Sequence, residues 1–167
     1  MKKGFSAKRD GFSSQNWHLK VDNKGKTLVI IKTKDNFIFG GFSQVGWTTD
    51  KSKWNEENRK YYFGSIIDPN AFIFSLRNDK SHRKPEKIII KHPKNAIYYD
   101  YLYNGPFFGI RVYPDLALDH HLKSGYSNLG YSYYLPNRIE WNTNEAKSYL
   151  AGSYDSWEVD ELETYFI

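Results

Sequence analysis

The amino-acid sequence predicts a mainly β (α+β) fold, an antiparallel β-sandwich with short flanking helices. Short apolar segments follow one another along the chain, with turn residues and no long helical patterns between them, an order typical of sandwiches. Phe, Trp and Tyr make up 18% of the residues, and aromatic side chains are enriched in strands. A length of 167 residues suits one hydrophobic core, so we expect a single domain over residues 1–167.

A short helix is the first element that the sequence predicts. N-cap residue types occupy positions 13–16, and the spacing of Phe12, Trp17 and Val21 fits one face of a helix of one or two turns. Residues 22–25 are polar and end in Gly, which stops the helix.

A β-hairpin follows the helix. Residues 27–33 form the first strand, with apolar or β-branched residues on both pleat faces. Residues 34–36 form the turn, and residues 37–42 form the second strand. Apolar side chains on both pleat faces are typical of a strand in the middle of a covered sheet. Gly40 and Gly41 interrupt the return strand, which indicates a bulge or a close approach by a packed neighbour.

The remaining chain predicts further strands and one long connection. Residues 43–70 are polar and carry Trp47, Trp54 and Tyr61, and loops of this length are often functional or partly helical. Apolar and aromatic segments predict strands at residues 71–76, 88–90, 97–102, 107–110, 116–118, 131–134 and 159–166.

Composition excludes several classes of protein. The chain has no Cys, which excludes disulfides, thiolate metal sites and cysteine nucleophiles and fits a reducing compartment, so we expect a cytoplasmic protein. No apolar run approaches the length that crosses a bilayer, and no membrane insertion is expected. The net charge is +5, and it is divided between a basic body and an acidic tail. A basic body can bind an acidic partner, and a solvated polar face explains the same lysines. The tail carries Asp155, Glu158, Asp160, Glu161 and Glu163.

Two carboxylates of the last strand are the first candidates for catalysis. If that strand has no bulge, Glu161 and Glu163 share a pleat face with Val159 and Tyr165. A buried, protonated glutamate could act as an acid. Salt bridges to the basic body would satisfy the same two side chains without any catalysis.

His18 is a third candidate for acid–base chemistry. Asp22 lies four residues later, which places an imidazole and a carboxylate on one helical face. The pair could tune a general base, or it could be a hydrogen-bonded structural group beside Trp17.

A metal site is a further possibility in residues 115–121. If Leu116 and Leu118 point inward, the alternation of a strand sends Asp115, Asp119 and His121 to the opposite face. Two carboxylates and an imidazole could hold a divalent metal. A solvated outer face would explain the same pattern.

Other motifs of catalysis or nucleic-acid binding are absent from the sequence. No Gly-x-Ser-x-Gly elbow occurs, and Gly40-Gly41 lacks the Lys and Ser or Thr of a phosphate-binding loop. The basic loop 80–84 could contact single-stranded nucleic acid, but no recognisable nucleic-acid motif accompanies it. No nucleic-acid partner is therefore expected.

Taken in order, a set of short motifs resembles the TLDc domain family over nearly the whole chain. The first half of the set has Arg-Asp-Gly-Phe-Ser at 9–13, Trp-His at 17–18, Asp-Asn-Lys-Gly at 22–25, Phe-Gly-Gly-Phe-Ser at 39–43, and Trp47. The second half has Ala-Phe-Ile-Phe-Ser-Leu at 71–76, Gly-Pro-Phe-Phe-Gly at 105–109, Asp-Leu at 115–116, Tyr-Leu-Ala-Gly at 149–152, and Val-Asp-Glu-Leu-Glu-Thr-Tyr at 159–165.

The resemblance implies a sandwich of two antiparallel β-sheets in a eukaryotic, cofactor-free domain that binds protein. Family members are associated with protection against oxidative stress, and several bind the peripheral catalytic sector of the vacuolar proton pump (V-ATPase). We therefore expect a non-catalytic, monomeric interaction domain, with an enzyme that uses Glu161 and Glu163 as the alternative. The resemblance marks these residues as binding or structural: Asp10, Gly11, Gly40, Gly41, Trp47, Gly109, Asp115, Glu161 and Glu163.

The chain departs from the family pattern at two places. Members usually have a helical lead-in and a Trp-containing strand before the Arg-Asp-Gly turn, whereas only residues 1–8 precede it here. The chain would then be a shortened version or a part of a longer protein. Residues 110–114, Ile-Arg-Val-Tyr-Pro, replace an expected glycine-rich link, which alters a surface that could bind a partner.

Overall fold

The computed structural model describes residues 1–48, 64–78, 84–99, 104–136 and 138–167. Within these ranges the chain forms eleven strands: β1 Lys2–Ser6, β2 Thr27–Thr33, β3 Ile38–Ser43, β4 Ser65–Ile66, β5 Phe72–Arg77, β6 Glu86–Ile89, β7 Ile97–Tyr98, β8 Phe107–Gly109, β9 Pro114–Leu118, β10 Ser124–Tyr126 and β11 Trp157–Phe166. The described helices are α1 Ala7–Asp10, α2 Ser14–Val21, α3 Asn144–Ser148 and a 3-10 turn at Pro93–Asn95.

Every strand pair is antiparallel, and β11 joins the strands into one continuous path. The order is β4-β7-β8-β9-β10-β11-β2-β3-β5-β6, with β1 beside β11. The start of β11 pairs with β10, and the rest of it pairs with β2. We call β1, β11, β2, β3, β5 and β6 the first layer, and β4, β7, β8, β9 and β10 the second layer.

The two layers pack face to face around aromatic side chains. The ring centroid of Phe39 in β3 lies 5.0 Å from that of Trp157 at the start of β11. Trp47 lies 5.4 Å from Phe108 of β8 and 5.0 Å from Trp17 of α2. These rings confirm the predicted mainly β sandwich with short helices, although a shared strand makes the two layers one sheet.

The predicted hairpin, which is β2 and β3, and the predicted short helix, which is α2, are confirmed. At the hairpin turn the N–H of Thr33 donates to Phe37 O over 3.0 Å, and Asn36 has φ 66°, a conformation that Asn tolerates. Helix α2 buries Trp17, whose Nε1 donates to Thr164 Oγ1 of β11 over 2.9 Å. Ser13 occupies the N-cap position but makes no side-chain capping bond.

Other predictions need correction. Residues 131–134 were predicted as a strand, but only Tyr133 pairs there, in an isolated bridge to Ile90. The strand predicted at 97–102 is described as far as Tyr98, and residues 100–103 lie outside the described residues. So do Trp54, Tyr61 and most of the basic loop at 80–84. The sequence did not predict β1, α1, β4, β10 and α3.

Candidate functional site

Asp10 anchors the corner where the Arg-Asp-Gly turn meets the last strand. Its side chain is only 7% exposed, and its Oδ2 accepts the N–H of Ser6 over 3.0 Å. Arg9 and Lys20 pair with the same carboxylate at 2.7 and 3.3 Å. The Arg9 guanidinium holds the pKa of Asp10 well below its usual range, assisted by Ser6 and Lys20. Gly11 follows with φ 94°, a conformation that favours glycine.

Glu161 joins the last strand to the same corner. Its Oε1 accepts the N–H of Leu162 over 3.1 Å, and it accepts the N–H of Lys8 and the Oγ hydroxyl of Ser6 over 3.3 Å each. Three donors within the protein converge on one carboxylate oxygen. The contacts of Glu161 are therefore those of a structural tie between β11 and the β1–α1 segment.

Glu163 lies two residues further along and is also paired. It forms an ion pair with Lys3 of β1, and the Tyr165 hydroxyl donates to it over 2.6 Å. Partial burial alone would raise the pKa of Glu163, but the hydrogen bonds from Lys3 and Tyr165 outweigh that effect and lower it. An ionised glutamate at neutral pH cannot donate a proton as a general acid.

The last strand contains a bulge, so the condition under which Glu161 and Glu163 would share a face with Val159 is not met. The register between β11 and β2 shifts between Val159 and Glu161. Before the bulge Trp157 and Val159 are buried, whereas after it Leu162 and Thr164 are buried. Glu161 therefore does not share a face with Val159, and the mixed core-and-carboxylate face on which the enzyme alternative was based does not form.

His18 lies on the buried side of α2, and both of its ring nitrogens have partners within the protein. Its side chain is 4% exposed, Nδ1 lies 2.9 Å from Asp22 Oδ1, and Nε2 lies 2.9 Å from the carbonyl oxygen of Asn104. Trp17 and Tyr99 pack edge-on at 4.7 and 5.0 Å. Both ring nitrogens therefore face oxygen atoms of the protein itself, and neither faces a cleft that a substrate could enter.

Asp115 is fully buried, which corrects the expectation of a solvated face. Its carboxylate accepts the backbone N–H groups of the loop that follows β10, at 2.8 to 3.3 Å. The donors are Gly130, Tyr131, Ser132 and Tyr133. Burial raises the pKa of Asp115 to about 7, and the backbone hydrogen bonds oppose the rise. Gly109 has φ 103°, and a Cβ there would lie 2.8 Å from the Asp115 nitrogen.

The other two metal candidates do not join Asp115. Asp119 accepts from the N–H groups of Lys123 and Ser124 at 3.1 and 3.4 Å, and so closes the turn between β9 and β10. His121 is exposed, and its ring stacks on His120 at 3.8 Å. In the described parts of the chain, no three His, Cys, Asp or Glu side chains are placed to hold a metal ion.

Asp68 is a buried carboxylate that the sequence analysis missed. Its Oδ2 accepts the N–H of Gln44 over 2.7 Å and the Ser43 hydroxyl over 3.1 Å, and its Oδ1 accepts the N–H of Asn70 over 3.0 Å. The Asp-Pro-Asn sequence signals the local turn. It does not signal that this turn holds the end of β3.

The glycine pair and Trp47 belong to the packing between strands and layers. A Cβ at Gly40 would lie 1.9 Å from the carbonyl oxygen of Val29, and one at Gly41 would lie 2.4 Å from the ring of Phe108. Trp47 donates its Nε1 hydrogen to Thr27 Oγ1 over 3.0 Å. Gly41 and Trp47 therefore lie where the two layers meet, whereas Gly40 leaves room for the ring of Phe74 on the opposite side of the sheet.

The side of the first layer that faces away from the second layer carries a large apolar patch, which we call the outer face. Along β2 the burial alternates, with Val29 and Ile31 fully buried and Leu28 and Ile30 half-buried. The register of β2, β3, β5 and β6 places further apolar residues beside them. The outer face comprises Leu28, Ile30, Ile38, Phe42, Phe72, Phe74, Leu76 and Ile89.

Comparison with known proteins gives two matches. A model of the TLDc domain family matches residues 1–165. The MTOR-associated protein MEAK7 of Gallus gallus is 33% identical over 75 residues, which are 45% of this chain and 16% of that protein. The matched part is therefore a small fraction of the relative's length. In the described ranges, none of the helices is both long enough and apolar enough to span a bilayer.

Proposed function

Because the chain belongs to the TLDc domain family, we propose that it is a non-catalytic, cytoplasmic protein-interaction domain. By its resemblance to family members, its partner is the peripheral sector of the vacuolar proton pump, and its role lies in protection against oxidative stress. The chain has no Cys and one Met, so any protection by the domain acts through the partner rather than through its own thiols.

The outer face is the observation that carries this proposal. The exposed side of an antiparallel sheet is normally polar, yet Leu76 and Ile89 here are 47% and 54% exposed. Half-buried rings of Phe42 and Phe72 stack beside them, with centroids 5.0 Å apart. Contiguous exposed apolar surface of this kind is typical of sites that bind other proteins.

The contacts of the acid–base candidates support binding over catalysis. Glu163 is paired with Lys3, Glu161 accepts backbone and hydroxyl hydrogens, and His18 is buried between two acceptors. A general acid or base needs a proton or a lone pair that faces a substrate. These three side chains direct their polar atoms into the protein.

A pull-down tests the pump as the partner. The tagged domain is mixed with purified catalytic sector of the pump, and a charge-matched unrelated protein serves as the control. We expect retention of the peripheral subunits above the control at moderate salt. Recovery equal to that of the control would contradict pump binding.

The chicken relative's name suggests a second candidate for the same assay. That protein is described as MTOR-associated, so a purified complex that contains MTOR is a reasonable second prey. Selective retention of this complex, without the pump subunits, would assign the interaction domain to a different partner.

A further inference from the structure

We propose that the outer face binds an acidic amphipathic helix of a partner protein. This inference rests on the proposed function, because it names the chemistry of the partner segment that an interaction domain of this shape would hold.

The groove lies over β3, between β2 and β5. Its volume is about 370 Å³, and its apolar walls are Leu28, Ile30, Phe72, Phe74, Leu76 and Pro85. Gly40 of β3 lies between Ile30 and Phe74 in the strand register and carries no side chain. The ring of Phe74 lies over this glycine, within 2.9 Å of where a Cβ would be, and Phe74 is only 7% exposed. The groove is therefore an open apolar surface floored by Phe74, on which the apolar side of a partner helix can pack.

The apolar residues form one complete row that crosses the strands and part of a second row. One row holds Leu28, Phe42, Phe72 and Ile89 in register across β2, β3, β5 and β6. Strands lie about 4.8 Å apart, so four strands and their side chains span roughly 20 Å, the length of a helix of three to four turns. The second row is two residues further along each strand, about 7 Å away. It holds Ile30, Gly40, Phe74 and Lys87, so its large apolar side chains are those of β2 and β5. A helix about 10 Å wide covers both rows.

Charge around the outer face favours an acidic occupant. Lys84, Lys87 and Lys91 on the β6 side are exposed, and none of them forms an ion pair with the described residues. Lys87 Nζ lies 4.2 Å from the ring centroid of Phe72, at the groove itself. The only described acid beside them, Glu86, accepts a hydrogen bond from the Tyr149 hydroxyl.

The opposite side of the outer face is neutralised within the domain. Glu163 pairs with Lys3, and Asp160 pairs with Lys8 and Lys32 at 3.0 and 3.1 Å. Among the described residues that border the outer face, the positive charge without an ion pair therefore lies beside β6. A partner helix gains most when its apolar side enters the groove and its acidic side faces these lysines.

A peptide display library tests the proposal. Peptides of about 14 residues carry Leu at helical spacing, with the flanking positions randomised among Glu, Lys, Gln and Ser. We expect panning on the wild-type domain to enrich Glu-rich peptides. Binding of the enriched peptides, measured by fluorescence anisotropy, should weaken as salt rises.

Matched variants locate the binding site. Leu76→Glu with Ile89→Glu should weaken binding by about tenfold or more, since both remove apolar anchors. Leu19→Glu is the control, because Leu19 is 80% exposed on α2, away from the outer face. Lys84→Glu with Lys87→Glu should weaken binding by about threefold to tenfold, whereas Lys24→Glu at an exposed turn should leave it unchanged.

Several results would overturn the proposal. These are no enrichment, enrichment of Lys-rich peptides, or equal binding by the double outer-face variant and the wild type. A dimer in sedimentation that the double outer-face variant disrupts would assign the face to a second copy instead. If the pump sector binds but no peptide does, the proposed function stands and this inference fails. If neither binds, both fail.

Discussion

The inner and outer faces of the first layer carry the same kinds of side chain in different surroundings. Phe39 on the inner face is fully buried against Trp157, whereas Phe42, three residues later on the outer face, is half-buried and stacks only on Phe72 among the described rings. The inner face is closed by the second layer, and the described residues leave the outer face partly open. Composition alone therefore does not tell a core from a binding surface.

The largest predicted effect compares Phe39 with Phe42. Phe39→Ala should lower the free energy of unfolding by about 3–5 kcal/mol, because it leaves a cavity between the layers. Phe42→Ala removes less buried area and should cost about 1 kcal/mol. Urea denaturation of both variants measures the difference. Equal losses would mean that the outer face is as fully covered as the inner face.

The second prediction compares the buried carboxylate of Asp115 with the half-exposed carboxylate of Asp119. Asp115→Asn replaces one acceptor oxygen with an N–H₂ group that faces a backbone donor such as Ser132 N–H. We expect a loss of about 1–3 kcal/mol for each donor left unsatisfied. Urea denaturation at constant pH measures it, with Asp119→Asn at the half-exposed β9–β10 turn as the milder comparison. A loss no larger than that of Asp119→Asn would contradict a structural role for the buried carboxylate.

The smallest effect concerns the pH dependence at the Asp10 corner. Arg9 lowers the pKa of Asp10 below the unfolded value of about 3.9, so the folded state binds fewer protons than the unfolded state there. The stability that Asp10 contributes is therefore fully present above the unfolded value and is lost progressively as the pH falls from there through the lower pKa of the folded state.

The melting temperature, measured from about pH 6 down to about pH 2, checks this sign. The wild type should lose more stability on acidification than Asp10→Asn does, because the variant has no carboxylate to protonate there. Parallel melting curves for the two proteins would show that the corner ion pairs contribute nothing to folding.

The sequence predicted the elements that are determined by residues close together in the chain. The hairpin at 27–42 and the helix ending at Val21 follow from propensity, turn chemistry and spacing. Strand β1 was missed because Lys2–Ser6 is short and lysine-rich, and its pairing with β11 depends on residues more than 150 positions away.

The candidate site could be predicted only in part, because it also depends on contacts between residues that are far apart in the sequence. The bulge between Val159 and Glu161 depends on pairing with β2, so the strand's own alternation gave the wrong face. Asp115 is buried because a later loop turns its N–H groups towards the carboxylate. The apolar character of both sides of residues 27–33 was correctly read, but it indicated a covered strand where the structure has a half-open outer face.

The most direct test of the central claim asks whether the outer face mediates binding. Tagged wild type, the Leu76→Glu and Ile89→Glu double variant, and the Leu19→Glu control are used to capture proteins from the same lysate, and the captured proteins are quantified by mass spectrometry. We expect a set of proteins that wild type and Leu19→Glu retain and the double variant loses, although all three proteins are folded. Equal retention by all three would contradict the account and place the binding surface elsewhere on the domain.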